Sequence, residues 1–218
     1  LQSSSGAQAE KVEKQMKEMG YGKVLTQKVV VTTESGLEAG ARDARYQALS
    51  ACAVQEKATK VFLGHTRDDQ AETVLLGLAR GSGTRSLSGM AMENGIFIRP
   101  LLHITRAQTV SACKELGIDA WNDPHNGNTE FSRVRVRTEV LPLMEEKLGP
   151  GISAALARSA SILRDDADAL DEIAQSEISA SDLTNLDCEH LSSLARAIRS
   201  RVLRAALYAA GAPSGSIT

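Results

Sequence analysis

The sequence is poor in aromatic residues, which make up 3% of its 218 positions. Aliphatic side chains and alanine must therefore fill most of the interior. The hydrophobic share of 42% and the charged share of 24% are nevertheless ordinary for a globular protein. A chain of this length is sufficient for one large domain or for two small ones.

Cysteine pairs, an excess of positive charge and long apolar runs are also absent. The three cysteines lie far apart and form no CxxC pair, which argues against a zinc site, an iron–sulfur cluster and a disulfide framework. The formal net charge of −2 means that any contact with nucleic acid must come from local patches. We find no membrane-spanning run and no signal-peptide pattern, and we expect a reducing, cytoplasmic location.

The first two thirds of the chain alternate between strand-like and helix-like patterns. The run KVFLGH over 60–65 is almost continuously apolar, which predicts a strand buried on both faces of a parallel sheet. Alternation of this kind predicts an α/β layered domain with a Rossmann-like parallel sheet. We predict helices over 5–19, 37–55, 69–80 and 105–117, and strands over 23–32, 60–65 and 96–101.

The character of the sequence changes after Gly149-Pro150-Gly151. Apolar residues then recur only at helical spacing, which predicts one long helix from Ile152 and a second helix through Leu191, Leu194, Ile198 and Val202. We therefore predict an α/β domain over 1–148 and a helical domain over 152–218.

The segment GHTRDDQAET over 64–73 is the richest in reactive side chains. Ligands of open parallel sheets bind beyond the carboxyl ends of the strands, so we expect Asp68, Asp69 and Glu72 to gather there with His65, pointing away from the core. Such carboxylates could hold a magnesium ion, through Asp68 and Asp69, or an ammonium group. The structural alternative is helix capping, because Asp69-x-x-Glu72 has the spacing of a capping box.

Two short motifs combine arginine with glycine or with a helix. Arg80, Gly81 and Gly83 end the predicted helix after the carboxylates, where the glycines are either C-cap residues or part of an anion site. Arg42 and Arg45 lie one turn apart on a predicted helix, where they form either a solvated face or a phosphate contact.

Two further groups of arginines lie downstream. Arg133, Arg135 and Arg137 alternate with valine and would point to one side if the segment were extended, as a footprint for a phosphate backbone or as a charged edge. The last predicted helix carries a second basic group, which we interpret as a solvated face: Arg196, Arg199, Arg201 and Arg204.

Taken in order, these segments resemble the N-type ATP pyrophosphatase-loop (PP-loop) enzymes, and among them the bacterial tRNA(Ile)-lysidine synthetase family. The resemblance rests on EAGARDARY over 38–46, GHxxDDQAET over 64–73, RGSG over 80–83, RPLL over 99–102 and DPxN over 123–126. It implies a nucleotide-alpha-hydrolase-like α/β catalytic domain followed by a small helical domain.

The resemblance also implies an activity. Enzymes of this family use ATP and Mg to adenylate the wobble cytosine of an isoleucine tRNA with a CAU anticodon, and free lysine then displaces AMP. A homodimer is compatible with the resemblance, and a membrane is not involved. The implied roles are catalysis for His65, Asp68, Asp69 and Glu72, contact with ATP or the activated cytosine for Arg80, Gly81 and Gly83, and tRNA contact for Arg42, Arg45, Arg133, Arg135 and Arg137.

Two departures from the family pattern affect these expectations. The family binds ATP with an SGGxDS loop that this sequence lacks, so we expect the chain to begin within a longer protein and to be inactive alone. Val134 stands where the family carries an asparagine, which weakens the inference for the neighbouring arginines. The alternatives are another PP-loop enzyme, such as a tRNA thiolase that uses cysteine pairs, and a non-enzymatic RNA-binding module.

Overall fold

The computed structural model describes residues 5–31, 36–81 and 83–213. The described residues form two compact units, one within Leu1–Phe62 and Gly95–Ile98 and the other within Leu63–Asn94 and Arg99–Thr218. In chain order the elements are α1 (Ser5–Glu18), α2 (Leu37–Gln55), β1 (Val61–Phe62), α3 (Arg67–Ala79), α4 (Thr84–Leu87), β2 (Glu93–Asn94), β3 (Phe97–Ile98), α5 (Arg106–Glu115), a 3-10 turn (Pro124–Gly127), α6 (Ser132–Arg135), a π-helical turn (Val136–Val140), α7 (Leu141–Leu148), α8 (Ile152–Ala180), α9 (Cys188–Ser193) and α10 (Arg196–Ala209). Among the described residues, no helix has the length and apolarity that a membrane span requires.

The first unit contains a short parallel strand pair. Strands β1 and β3 pair with Val61 opposite Phe97, and the ring of Tyr46 on α2 meets Phe97 edge-on at 4.8 Å. The strands predicted over 60–65 and 96–101 are therefore confirmed, although each is shorter than expected. The prediction that the first is buried on both faces is wrong, because Phe62 is 71% exposed.

The strand predicted over 23–32 is also wrong, since residues 23–31 have no regular secondary structure and residue 32 lies outside the described residues. A strand needs a neighbour to receive its backbone hydrogen bonds, and none pairs with 23–31 in the described part of the chain. Val30 is 87% exposed. An ion pair of 2.6 Å between Lys23 and Glu56 attaches the segment to the end of α2.

Helix α3 belongs to the second unit and supplies part of its core. Ala71 packs with Val136 and Leu141, and Ile152 and other partly buried residues surround this group. Leu78 is 60% exposed, although it belongs to the same helix. The buried side of the helix continues instead through Gly77, where an added Cβ would contact the main chain of α4 at 3.4 Å.

Helix α8 is the long helix predicted from Ile152, and it carries alanines at every seventh position. Ala160, Ala167 and Ala174 are at most 1% exposed, so their small side chains allow close packing along one stripe. The single helix predicted through Leu191 and Val202 is instead two helices, because the backbone is extended at Leu194 and Ala195 between them. Residues on both sides of Gly149–Gly151 share one compact unit, and the domain boundary there stays a prediction.

The Gly149-Pro150-Gly151 break is closed by Glu145 on α7. Gly149 and Gly151 adopt positive φ angles of 102° and 96°, and the Glu145 carboxylate accepts hydrogen bonds from the amides of Gly151 at 2.6 Å and Ser153 at 3.1 Å. The first amides of a helix have no partner within it, so this side chain caps α8. The amide of Ser153, followed by that of Gly151, lowers the pKa of Glu145.

We expect Glu145→Gln to lower the thermal unfolding midpoint at neutral pH, because the amide is a weaker acceptor than the carboxylate. The folded-state pKa lies below the unfolded value, so the carboxylate stabilises the fold above the unfolded pKa of about 4.3. That stabilisation is lost as the pH falls through the folded pKa. The difference in midpoint between wild type and variant should therefore shrink on acidification, as measured by circular dichroism.

The matched control is Glu146→Gln, because Glu146 pairs only with the exposed Lys147. Exposed pairs of this kind contribute little to stability. Equal effects of the two substitutions would contradict the capping role of Glu145.

Candidate functional site

A capping box begins α3, one turn earlier than the sequence spacing indicated. Thr66 has extended backbone angles, its amide donates to Asp69 Oδ2 at 2.8 Å, and its hydroxyl accepts from the Asp69 amide at 3.5 Å. The box is thus Thr66-x-x-Asp69, and the interpretation of Asp69-x-x-Glu72 as the box is wrong because Asp69 is already helical. The Thr-x-x-Asp spacing in the sequence could have revealed it.

Glu72 is the most deeply buried charged residue of the segment, with no exposed surface. Arg137 binds its carboxylate at two points, with Nε 2.6 Å from Oε1 and Nη2 2.9 Å from Oε2. Arg133 Nη1 lies 3.4 Å from Oε2. The expectation that Glu72 points away from the core is wrong, and its burial is tolerated because charged partners neutralise it.

Asp69 shares the same guanidinium, since Arg137 Nη2 lies 3.2 Å from its Oδ1. Burial alone would raise the pKa of Asp69, but the Thr66 amide and hydroxyl, Arg137 and Arg106 together outweigh it and lower the pKa. Asp69 is therefore an ionised structural partner at neutral pH.

The arginine segment is helical, so the extended arrangement that would have placed all three arginines on one side does not occur. Residues four apart share a face of a helix, so Arg133 and Arg137 both reach Glu72, whereas alternate residues do not. Arg135 turns elsewhere and donates to the carbonyls of Thr129 at 2.7 Å and Glu130 at 2.9 Å. Val134 and Val136, which lie between the arginines, are both buried.

Asp68 differs from the other two carboxylates. Its Oδ2 accepts a hydrogen bond of 2.7 Å from the amide of Arg106, the first residue of α5. Its Oδ1 has no hydrogen-bond partner among the described residues. Asp68 is half-buried, so this oxygen is the one carboxylate acceptor of the segment that stays open to a ligand.

The carboxylates do not fit a magnesium ion in this arrangement. Within the described ranges, no group of three or more histidine, cysteine or acidic side chains is placed to hold a metal. Glu72 and Asp69 are already bound by Arg137, and a cation would have to displace that guanidinium. The expectation of magnesium at Asp68 and Asp69 therefore has no support here. His65 is half-buried just before the capping threonine.

Comparison with known proteins agrees with the motifs. The PP-loop domain family matches residues 1–144. The tRNA(Ile)-lysidine synthase of Thermobifida fusca is 48% identical over the whole chain, and that of Streptomyces coelicolor is 50% identical over the whole chain. The corresponding protein of Mycobacterium tuberculosis H37Rv is 45% identical over 97% of the chain.

The chain belongs to the tRNA(Ile)-lysidine synthase family of PP-loop proteins. It spans 68%, 63% and 66% of the lengths of these three relatives, respectively. Membership in the PP-loop family also implies the α/β nucleotide-alpha-hydrolase fold class that the sequence predicted.

In this member of the lysidine synthase family, the RGSG motif begins where α3 ends. Gly81 has a φ of 65°, and its amide donates to the Leu78 carbonyl at 3.0 Å, so it is the left-handed glycine that directly follows the C-cap residue Arg80. Gly83 precedes α4 with an extended backbone and accepts from the Ser86 amide at 3.0 Å. Arg80 is exposed at the helix end. Contact of Arg80, Gly81 and Gly83 with ATP or with an activated base stays a prediction.

The arginines of α2 are exposed in the other unit. The Arg42 guanidinium lies 5.7 Å from the centroid of the Tyr46 ring, one turn further along the helix, which is within cation–π range. Arg45 is exposed beside it. Both arginines therefore present their charge to solvent, as either a solvated face or a phosphate contact requires.

We predict that Arg137→Met lowers the free energy of unfolding by about 3 kcal/mol, because it leaves the buried Glu72 carboxylate with one distant partner. Changing both partners, in Glu72→Met with Arg137→Met, should restore much of the loss, since no buried charge then remains. Urea unfolding followed by circular dichroism measures both values.

Arg135→Met is the matched control, because Arg135 lies in the same segment but bonds only to neighbouring main-chain and hydroxyl groups. Its cost should stay at about 1 kcal/mol or less. If Arg137→Met were no worse than this control, the buried pair would not hold the segment to α3.

Proposed function

We propose that the protein takes part in the ATP-dependent attachment of lysine to the wobble cytidine of an isoleucine tRNA with a CAU anticodon. The observation that carries this proposal is the match of the whole chain to proteins named tRNA(Ile)-lysidine synthase at 48% and 50% identity. The alternative of a thiolase with paired cysteines gains no support, because Cys52, Cys113 and Cys188 are free thiols on three separate helices.

The proposed reaction has two steps. The C2 oxygen of cytosine attacks the α-phosphate of ATP, releasing pyrophosphate, and the adenylated oxygen becomes a good leaving group. The ε-amine of lysine then forms the C2–N bond as the C2–O bond breaks and AMP departs. Lysine enters as an ammonium ion, so the site must first bind this cation and then allow it to lose a proton.

Among the three carboxylates, Asp68 is best suited to receive the ammonium. The charges of Asp69 and Glu72 are balanced by ion pairs with Arg137 and Arg133. Asp68 forms no ion pair among the described residues: its hydrogen bond comes from a neutral backbone amide, and Arg137 acts on it only at longer range. A half-buried carboxylate oxygen attracts a cation more strongly than a fully solvated one, because less water screens the charge. We therefore assign lysine binding to Asp68, and we assign the support of this helix end to Asp69 and Glu72.

We predict that Asp68→Asn raises the KM for lysine about tenfold or more, while kcat changes less, because the substitution removes attraction for the ammonium in both ground and transition states. The asparagine oxygen can still accept from the Arg106 amide, so the fold should be kept. Transfer of labelled lysine to tRNA by the intact gene product, with ATP, measures both constants.

Gln108→Ala is the control, because it breaks the capping box of Thr105 on the neighbouring helix α5 without removing a carboxylate. Its KM for lysine should match the wild type. An unchanged KM in Asp68→Asn would remove Asp68 from the lysine site, and absence of lysine transfer by the wild-type protein would refute the proposed function itself.

The exposed arginines of α2 are the best-placed candidates for tRNA phosphates. Arg42 and Arg45 are one turn apart and both exposed. In contrast, Arg137 has a side-chain exposure of only 19%, and its guanidinium donates hydrogen bonds to Glu72 and Asp69. We therefore propose Arg42 and Arg45 as direct phosphate contacts. Any contribution of Arg133, Arg135 or Arg137 to tRNA contact would have to come from the exposed edges of their side chains.

We predict that Arg42→Ala with Arg45→Ala reduces the slope of log affinity for tRNA against log salt by about 1 to 2. Each phosphate contact releases counterions when the complex forms, so binding with fewer contacts releases fewer of them. Filter binding or fluorescence anisotropy at several salt concentrations measures the slope.

Lys14→Ala with Lys17→Ala removes the same charge from α1, where both lysines pair with glutamates four residues away. This control should leave the salt slope unchanged. If both double variants changed the slope equally, the effect would report net charge and not contact by α2.

A further inference from the structure

Four consecutive residues after α4, Ser88 to Ala91, have their main chain bound by side chains from distant parts of the second unit. We call Ser88–Ala91 the clasped segment. It belongs to no helix or strand, and the buried polar groups of such a segment need partners from elsewhere. Ser88 is fully buried, so water cannot supply those partners there.

Gln70 provides the first attachment. Its Oε1 accepts from the Met90 amide at 2.7 Å, and its Nε2 donates to the Met90 carbonyl at 3.0 Å. The carboxamide therefore pairs with the main chain of one residue at two points, and it is only 7% exposed. Gly89 makes this approach possible, because a Cβ there would lie 2.7 Å from Gln70 Oε1, and because its φ is 61°.

Arg164 provides the second attachment, from the middle of α8. Its Nη2 donates to the carbonyls of Ser88 and Gly89, each at 2.8 Å. A third attachment comes from Arg99, which is 4% exposed and donates to the Ala91 carbonyl at 2.7 Å. The clasped segment is thus bound by α3 on one side and by α8 on another.

Charged contacts fix the helix before the clasped segment to the same region. Arg85 on α4 pairs with Asp168 at 2.5 Å and with Asp171, both on α8. Arg201 on α10 also pairs with Asp171, at 2.5 Å. Helix α4 and the clasped segment are therefore attached to α8 along its middle turns.

We propose that Gln70 and Arg164 are positioning residues, which act through the clasped segment to set the orientation of the first turn of α3. This inference rests on the proposed function, since it assigns to that turn the lysine-binding carboxylate of Asp68. Gln70 lies two residues beyond Asp68 on the same helix, so its attachment fixes the rotation of the helix about its axis. Arg164 holds the clasped segment against α8, so the main-chain groups that Gln70 binds stay in place.

The capping box alone does not fix this rotation, because Thr66 and Asp69 move with the helix that they cap. A small displacement of a reacting group is costly in an enzyme, by up to about a hundredfold for 1 Å. A carboxylate that must present one oxygen to an ammonium, while the other stays on the Arg106 amide, is sensitive to such a displacement.

The test compares Gln70→Met and Arg164→Met with Val202→Ala in the intact gene product. Methionine keeps apolar bulk but cannot form the hydrogen bonds. Val202 is fully buried between α8 and α10, away from the clasped segment, so Val202→Ala lowers stability without touching it. Hydrogen–deuterium exchange of peptides covering 67–73 and kinetics of labelled-lysine transfer are the readouts.

Both methionine variants should accelerate exchange in 67–73 and raise the KM for lysine by up to about tenfold, with a smaller change in kcat, because they displace the carboxylate that binds the ammonium. Val202→Ala should accelerate exchange in α10 while leaving exchange in 67–73 and the KM for lysine within about twofold of the wild type, well below its melting temperature. Gln70→Glu adds a rescue: the protonated acid can reproduce both hydrogen bonds to Met90, whereas the carboxylate cannot donate. Exchange in 67–73 should therefore slow towards the wild-type rate on acidification, after correction for the intrinsic effect of pH.

Unchanged exchange in 67–73 for Arg164→Met would overturn the inference, and so would an equal rise in the KM for lysine in Val202→Ala. If the wild-type protein transfers no lysine, the proposed function fails. The exchange comparison then still decides whether the clasped segment holds the first turn of α3.

Discussion

The burial of the Glu72 carboxylate is the constraint on which the second unit depends. A carboxylate without contact to water costs several kcal/mol unless cations and hydrogen bonds compensate it. Arg137 and Arg133 supply that compensation from a helical segment more than sixty residues away in sequence. Because the Arg137 guanidinium also reaches Asp69, the first turn of α3 and the segment around Arg137 have to form together.

This constraint separates the acids by role. Asp69 and Glu72 are bound within the protein, whereas Asp68 retains an open oxygen because its partner is a backbone amide. A cluster of three carboxylates therefore need not be a metal site. Two of them can serve to hold the helix that presents the third, and the attachment of Gln70 and Arg164 to the clasped segment supports the same helix from its other side.

The sequence predicted the helices well, because their signals are local. The bounds Leu37–Gln55 and the start of α8 at Ile152 follow from apolar periodicity, and Thr105 with Gly117 correctly delimited the region of α5. Strands were less predictable, since residues 23–31 have a strand-like composition but pair with no other described segment. Strand pairing depends on two segments, so the composition of one segment alone does not predict whether it joins a sheet.

The candidate site was predictable in its residues but not in its contacts. Motif spacing singled out Asp68, Asp69 and Glu72. The pairing of Glu72 with Arg137 was not predictable, because these residues are far apart in sequence and no local pattern links them. The alternation of arginine with valine would put all three arginines on one side of an extended segment, whereas the segment is helical. Gln70 and Arg164 were overlooked for a related reason, because their partners are main-chain atoms that are present in every residue.

The π-helical turn over Val136–Val140 accommodates one residue more than a regular α-helical turn. In such a turn the residues that align are five apart, where an α-helix aligns those three or four apart. Val136 and Leu141 are five apart and both pack against Ala71, an arrangement that an uninterrupted α-helix would prevent. Loss of a single residue here would place these two side chains four apart, and a regular α-helix would then keep both on the face that packs against Ala71. One added residue would instead rotate α7 by about 100° relative to Val136 and turn Leu141 away from the core.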